Sequence, residues 1–175
     1  MARFVAFLRA VNVGRRTVAM ADARQALVDL GYDDVGSFVN SGNLLFTSTG
    51  RAAAHEKAIR GALEKAFGFE ITTFVRTAAE VTALATDKPF GTIADGHTHF
   101  ALLPLNRMTA TQRQAVRQLS NDHDEVQIVG RDIHWLIRSK STETTLGPRR
   151  WRDALPGNPT TARNTTMLAK LALRL

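Results

Sequence analysis

The stretch Ala2-Arg3-Phe4-Val5-Ala6-Phe7-Leu8-Arg9-Ala10-Val11-Asn12-Val13-Gly14-Arg15-Arg16, running on to Gly31, decides how the chain reads. Up to Val13 it is apolar and rich in β-branched and aromatic residues, which favours a mostly buried strand over a helix. Gly14 ends the strand, and two arginines follow it. Arg9 and Asn12 lie near the strand's carboxyl end, where layered α/β proteins gather their loops and ligands. Asn12, Gly14, Arg15 and Arg16 together offer an amide, a permissive backbone and two guanidinium groups, a turn suited to a phosphate or carboxylate. One glycine is not a phosphate fingerprint, so a plain turn with solvated arginines stays open as the alternative.

From this strand the order of elements unfolds in both halves. Ala19–Leu30 carries Met20, Ala23, Leu27 and Leu30 at helical spacing, and Gly31 serves as its C-cap. Val35–Asn40 and Leu44–Thr47 read as strands around the turn Ser41-Gly42-Asn43, a hairpin. Arg51–Phe67 is a helix closed by Gly68, and Glu70–Arg76 is a fourth strand. The order β-α-β-β-α-β is that of a ferredoxin-like unit. Thr77 with Glu80 three residues on predicts a further capped helix to Ala85. After Pro89-Phe90-Gly91 the pattern repeats. His97–Leu105 is a strand and Thr109–Leu119 a helix. Glu125–Val129 and Ile133–Arg138 form a hairpin about Gly130-Arg131-Asp132. Helical material leads from there to a final helix, Thr165–Leu175. The expected fold is therefore α+β, with duplicated ferredoxin-like β-α-β-β-α-β units and antiparallel sheets. Residues 1–91 make the first unit with its connecting helix, and 97–175 a β-α-β-β-α second unit.

Composition narrows the function classes. The 175 residues contain no cysteine, which excludes disulfides, thiol catalysis and cysteine metal sites. No apolar run is long enough to span a membrane, and the expected setting is the cytoplasm. Net charge is 23 − 16 = +7 and the pI is about 10.7. That balance points to an anionic partner, a small molecule or nucleic acid. Arginine dominates the excess and alanine is abundant, so biased composition accounts for the charge equally well. Aromatics at 7% are thin for base stacking.

Several stretches resemble one family. They are Phe7-Leu8-Arg9-Ala10-Val11-Asn12-Val13-Gly14, Ser41-Gly42-Asn43-Leu44-Leu45-Phe46, Lys88-Pro89-Phe90, Arg138-Ser139-Lys140, and Thr161-Ala162-Arg163-Asn164 with Lys170-Leu171. Together, across nearly the whole chain, they resemble the DUF1697 proteins, a domain of unknown function. The resemblance implies a duplicated α/β fold, a mostly bacterial cytoplasmic setting and no established activity. Three positions depart from the family's pattern. Ala10 stands where a glycine is usual, Lys88 where an asparagine precedes Pro-Phe, and Thr165 where an aromatic follows Arg-Asn.

The candidate ligand-binding set is Arg9, Asn12, Gly14, Arg15, Arg16, Ser41, Asn43, Arg163 and Asn164. Arginines with amides hold phosphates and carboxylates. Turn formation is the alternative for Ser41 and Asn43, and helix capping for Asn164. A second basic cluster, Arg138, Lys140, Arg149, Arg150 and Arg152 beside Trp135 and Trp151, could grip nucleic acid, or be solvated arginines around buried anchors. A nucleophile built from Ser139 or Ser141 with Lys140 needs a geometry that spacing does not supply. His97 and His99 alternate on one strand but lack a third ligand, and His123 sits between acids. Surface histidines are expected, with no metal and no cofactor. Binding of a nucleotide or nucleic acid is the leading reading. An enzyme for a small phosphorylated or carboxylated substrate, with Asp22 or Glu143 as an added acid or base, stays open. So does a structural or oligomerisation module.

Overall fold

β1 (Ala2–Leu8) lies inside the first sheet, between β3 (Asn43–Ser48) and β4 (Thr73–Thr77), with β2 (Asp33–Ser37) outside β3. The computed structural model describes residues 1–9, 11, 17–39 and 42–175. The strand order β2-β3-β1-β4, antiparallel throughout, is that of the ferredoxin-like unit. Alternate residues of β1 explain the core. Phe4, Ala6 and Leu8 meet Leu44, Phe46 and Val75 on one sheet face. Helices α1 (Met20–Asp29) and α2 (Ala52–Phe67) cover that face with Ala23, Leu27, Ile59 and Leu63. Val5, Phe7, Leu45 and Phe74 are buried as well. β1 therefore reads as one apolar run, with no polar alternation.

Glu56 of α2 finishes this unit's edge. Its Oε1 accepts the Val75 N–H on edge strand β4 at 2.9 Å and lies 3.8 Å from the buried guanidinium of Arg76. A carboxylate on an edge N–H removes one site at which a foreign strand could pair.

α3 (Ala78–Thr86) carries the Thr77–Glu80 capping box that the sequence predicts. The division between the units falls inside it. Met1–Ala83 with Leu171–Leu175 form the first, and Leu84–Lys170 the second. The second sheet has the order β6-β7-β5-β8, again antiparallel, from β5 (Thr98–Pro104), β6 (Asp124–Val129), β7 (Asp132–Ile137) and β8 (Thr160–Asn164). α4 (Ala110–Arg117) starts in a capping box of Thr109 and Gln112, and α5 (Pro148–Ala154) has Pro148 in its first turn. α6 (Thr165–Ala172) follows β8 directly.

One expectation needs correcting. The second unit is not β-α-β-β-α: it has a fourth strand, β8, ahead of the last helix. Thr160-Thr161-Ala162-Arg163-Asn164 has no apolar alternation of its own and is a strand because it pairs with β5.

Trp135 and Trp151 are core residues, their rings edge to face at 5.3 Å within a cluster of Leu102, Val116, Ile133 and Leu155. The indole of Trp135 donates to Asp124 Oδ1 at 2.8 Å. The same carboxylate accepts the Thr144 hydroxyl at 2.6 Å and both the N–H and hydroxyl of Thr145, at 2.8 and 2.7 Å. Four donors on one buried carboxylate tie β6, β7 and the following loop together. They outweigh the burial that would raise its pKa, and hold it below the usual value.

Gly42 has φ +75°, and a Cβ there would meet Val11 Cγ2 at 2.8 Å and Leu8 Cβ at 3.0 Å. Gly42→Ala is therefore expected to cost about 1–3 kcal/mol in chemical denaturation. Asp124→Ala strands three donor residues around a buried site. It is expected to cost about 3 kcal/mol or more by the same measurement, with Asp124→Asn recovering part of that.

Candidate functional site

The second unit's sheet carries a polar face. His99 on β5 is paired with Leu136 of β7, and Ala101 with His134. His99 and His134 are thus diagonal neighbours on one face, close enough for rings to meet. The methyl of Ala101 leaves the lateral room. His99 Nε2 and His134 Nδ1 are 3.0 Å apart. His134 is fully buried and His99 is 8% exposed. His99 is therefore no surface histidine, contrary to expectation. Its partner lies 35 residues away and no local spacing reveals it.

Around His99 the chain builds a cavity of about 420 Å³ lined by Asp87, Lys88, Phe90, Ile93, Thr165 and Thr166 among others. Each wall has a local cause. Lys88-Pro89-Phe90-Gly91 is a turn closed by the Gly91 N–H on the Lys88 carbonyl at 2.9 Å, with Gly91 at φ +68°. Gln127 of β6 donates to the Pro89 carbonyl at 3.0 Å and holds the turn in place. The Phe90 ring then stands edge to face with His99 at 5.3 Å. On the other side, Asn164 ends β8 and caps α6, its Oδ1 accepting the Thr166 N–H at 2.8 Å. The Thr165 hydroxyl donates to the His99 carbonyl at 3.1 Å.

The Lys88-Pro89-Phe90 turn and Thr165, the residue that follows the Thr161-Ala162-Arg163-Asn164 stretch, thus meet at His99. Lys88 and Thr165, two of the three departures from the family's pattern, both line the cavity. Its chemistry is mixed. It has an ammonium, a carboxylate, three threonines, an imidazole and an apolar wall of Phe90, Ile93, Ala85 and Ala169.

The expected ligand-binding residues fall as follows. Asn12, Gly14, Arg15, Arg16 and Ser41 lie outside the described residues. Arg9 is exposed beyond the end of β1, its backbone N–H bonded to the Thr72 carbonyl at 2.9 Å. Asn43 is fully buried, and its amide donates to the Phe38 carbonyl at 3.0 Å across the hairpin. Both belong to the first unit. Arg163 and Asn164 belong to the second. Arg163 shares a ladder position with Ala101 and donates to Thr161 Oγ1 at 2.7 Å and to the Ala162 carbonyl at 2.9 Å. Burial pushes its guanidinium down to about 10, still charged at neutral pH.

Of the second basic cluster, Arg138 is paired with Glu125 at 2.8 Å and Arg149 lies 3.7 Å from Asp153. With Trp135 and Trp151 in the core, no base can stack on them. The Ser139 hydroxyl bonds to His123 Nε2 at 2.9 Å. Among the described residues no three histidine, aspartate or glutamate side chains cluster as a metal site. None of the described helices is long and apolar enough to cross a membrane.

Two ferredoxin-like units in tandem, the second holding a cavity of mixed chemistry beside His99, define a duplicated α+β protein. The chain belongs to the DUF1697 family, described as protein of unknown function, whose model matches residues 1–134. It is also similar to a solved structure, the conserved bacterial protein SP0830 from Streptococcus pneumoniae. The TM-score is 0.78 and the identity 22%, over 100% of this chain and 98% of that one. At that identity the likeness is one of fold. No curated protein matches the chain.

Burial, aided by the neighbouring imidazole of His134, pushes His99 from 6.5 down to about 4, and burial lowers His134 too. The unfolded chain therefore takes up protons that the folded state refuses. Stability contributed by neutral His99 is complete above pH 6.5 and is lost as pH falls from 6.5 to about 4. His55 of the first unit is also lowered by burial and adds to the same trend. Denaturation followed across this window is expected to show stability falling with a slope of up to about one proton per histidine. His99→Gln removes the share of His99 and leaves those of His134 and His55.

Proposed function

We propose that this chain binds a small organic anion of mononucleotide size in the cavity beside His99. The observation that carries the reading is the meeting of the Lys88-Pro89-Phe90 turn and the Asn164-capped start of α6 on one histidine. About 420 Å³ falls within the range of small-molecule sites. Lys88 supplies a cation for a phosphate or carboxylate and Thr166 a hydroxyl donor, while the Thr165 hydroxyl is engaged with the His99 carbonyl. Phe90 and Ile93 supply an apolar wall for a ring. Asp87 on the same wall favours a ligand that also carries hydrogen-bond donors, as a nucleobase or an amine does. Such a ligand would draw on only a little of the net charge of +7, and the remaining arginines are then composition.

A second location is supported by the exposure of Arg9 at the end of β1. There Arg9, Asn12, Gly14, Arg15 and Arg16 would hold the anion.

Thermal melting with a panel of mononucleotides, phosphorylated and carboxylated metabolites and short oligonucleotides separates these readings. A ligand at one hundred times its Kd should raise Tm by about 5–10 °C. Lys88→Ala should weaken its binding about tenfold. A shift untouched by Lys88→Ala but abolished by Arg15→Ala with Arg16→Ala moves the site to the first unit. A shift with oligonucleotides alone that fades with salt replaces the small ligand by nucleic acid.

A further inference from the structure

The two imidazoles hold one proton between them, and which ring donates it decides what the cavity offers a ligand. His134 Nε2 is buried with no hydrogen-bond partner. If His99 Nε2 donated to His134 Nδ1, the proton of His134 would sit on that Nε2 as an orphaned buried donor. Orphaned buried donors are rarer in proteins than acceptors left short. If His134 Nδ1–H donates to His99 Nε2, His134 Nε2 is only an unused lone pair, and the proton of His99 must lie on Nδ1. Nδ1 of His99 has no bond among the described residues and is not sealed off, on a ring that lines the cavity.

Resting on the cavity as the binding site, we infer that His99 is its specificity-determining residue. Oriented by His134, it presents Nδ1–H to an oxyanion of the ligand, so that binding the anion draws a proton into the histidine pair.

The surroundings set the sign of the coupling. Without ligand, burial keeps the pair neutral, although Asp87 and Asp132 both favour a proton on His134. Lys88 on the cavity wall opposes that proton. The ladder puts Arg163 of β8 across from Ala101, and Glu125 of β6 across from Leu136 on this same sheet face. Glu125 is engaged with Arg138 at 2.8 Å. An anion against His99 Nδ1 adds a negative charge at contact distance and favours the protonated pair. His99 then titrates at a higher pH in the complex than alone, and the affinity for the anion rises as pH falls between those two midpoints. His134 acts only through His99 and is a positioning residue.

Long-range nitrogen–proton NMR of the imidazoles in the full chain tests this, with inorganic phosphate as the probe and chloride at matched ionic strength as the control. The expected result at neutral pH is both rings protonated at Nδ1, with phosphate raising the His99 midpoint by about one pH unit. Phosphate should also shift the Thr165 and Thr166 amides. A His99 ring protonated at Nε2 overturns the inference. So do Thr165 and Thr166 amides that respond to phosphate while His99 keeps its midpoint, although the cavity would then stand as a binding site. No response at Thr165, Thr166 or His99 removes the cavity as a phosphate site and the proton coupling with it. His134→Phe provides an internal check. Where that variant folds, His99 should lose its single protonated form and populate both.

Discussion

The pairing of β5 with β7 that sets Ala101 opposite His134 is the constraint on which the second unit's site depends. A slip of one residue would send His134 to the helix-covered face and bring Trp135 to the cavity side. In the observed register the sheet separates two chemistries. Phe100, Leu102, Trp135 and Ile137 pack under α4 and α5. His99 and His134 share the other face, with Arg163 opposite Ala101 on β8. The apolar side and the four-donor grip on Asp124 make the platform rigid, and the polar side is then free to carry chemistry.

The two units use one topology with different polar investments. In the first, the buried histidine is part of an aromatic cluster. His55 meets Phe4, Phe46 and Tyr32, and the Tyr32 hydroxyl bonds its Nδ1 at 2.9 Å. That histidine is absorbed into packing. In the second, His99 faces a cavity, and its partner is another imidazole. The same topology thus carries different buried polar groups in its two copies, which fits the general rule that function resides in grafted side chains, not in the fold.

Much of the architecture was legible in the residues. Met20, Ala23 and Leu27 fall on one helical face, and the cap at Thr77 lies where its side chain demanded. β8 was not legible, because Thr160–Asn164 is a strand only through its pairing with β5. The site was half legible. Lys88-Pro89-Phe90 and Arg163-Asn164 stood out as motifs, but nothing in linear spacing joins them. His99 looked like one of two alternating histidines, whereas its meaning comes from His134 across the sheet. Asn43 drew notice as a ligand-binding amide, and its amide is bonded across its own hairpin. Trp135 and Trp151 sat among arginines in the sequence, and only the packing shows them meeting each other.

The central claim is that the face of the second sheet around His99 is a ligand site. It is met most directly by amide NMR of the full chain titrated with adenosine monophosphate. The account predicts saturable shifts concentrated at Lys88, Phe90, His99, Thr165 and Thr166, lost in Lys88→Ala. Shifts scattered over exposed arginines that fade with salt, with those five residues unmoved, would contradict it.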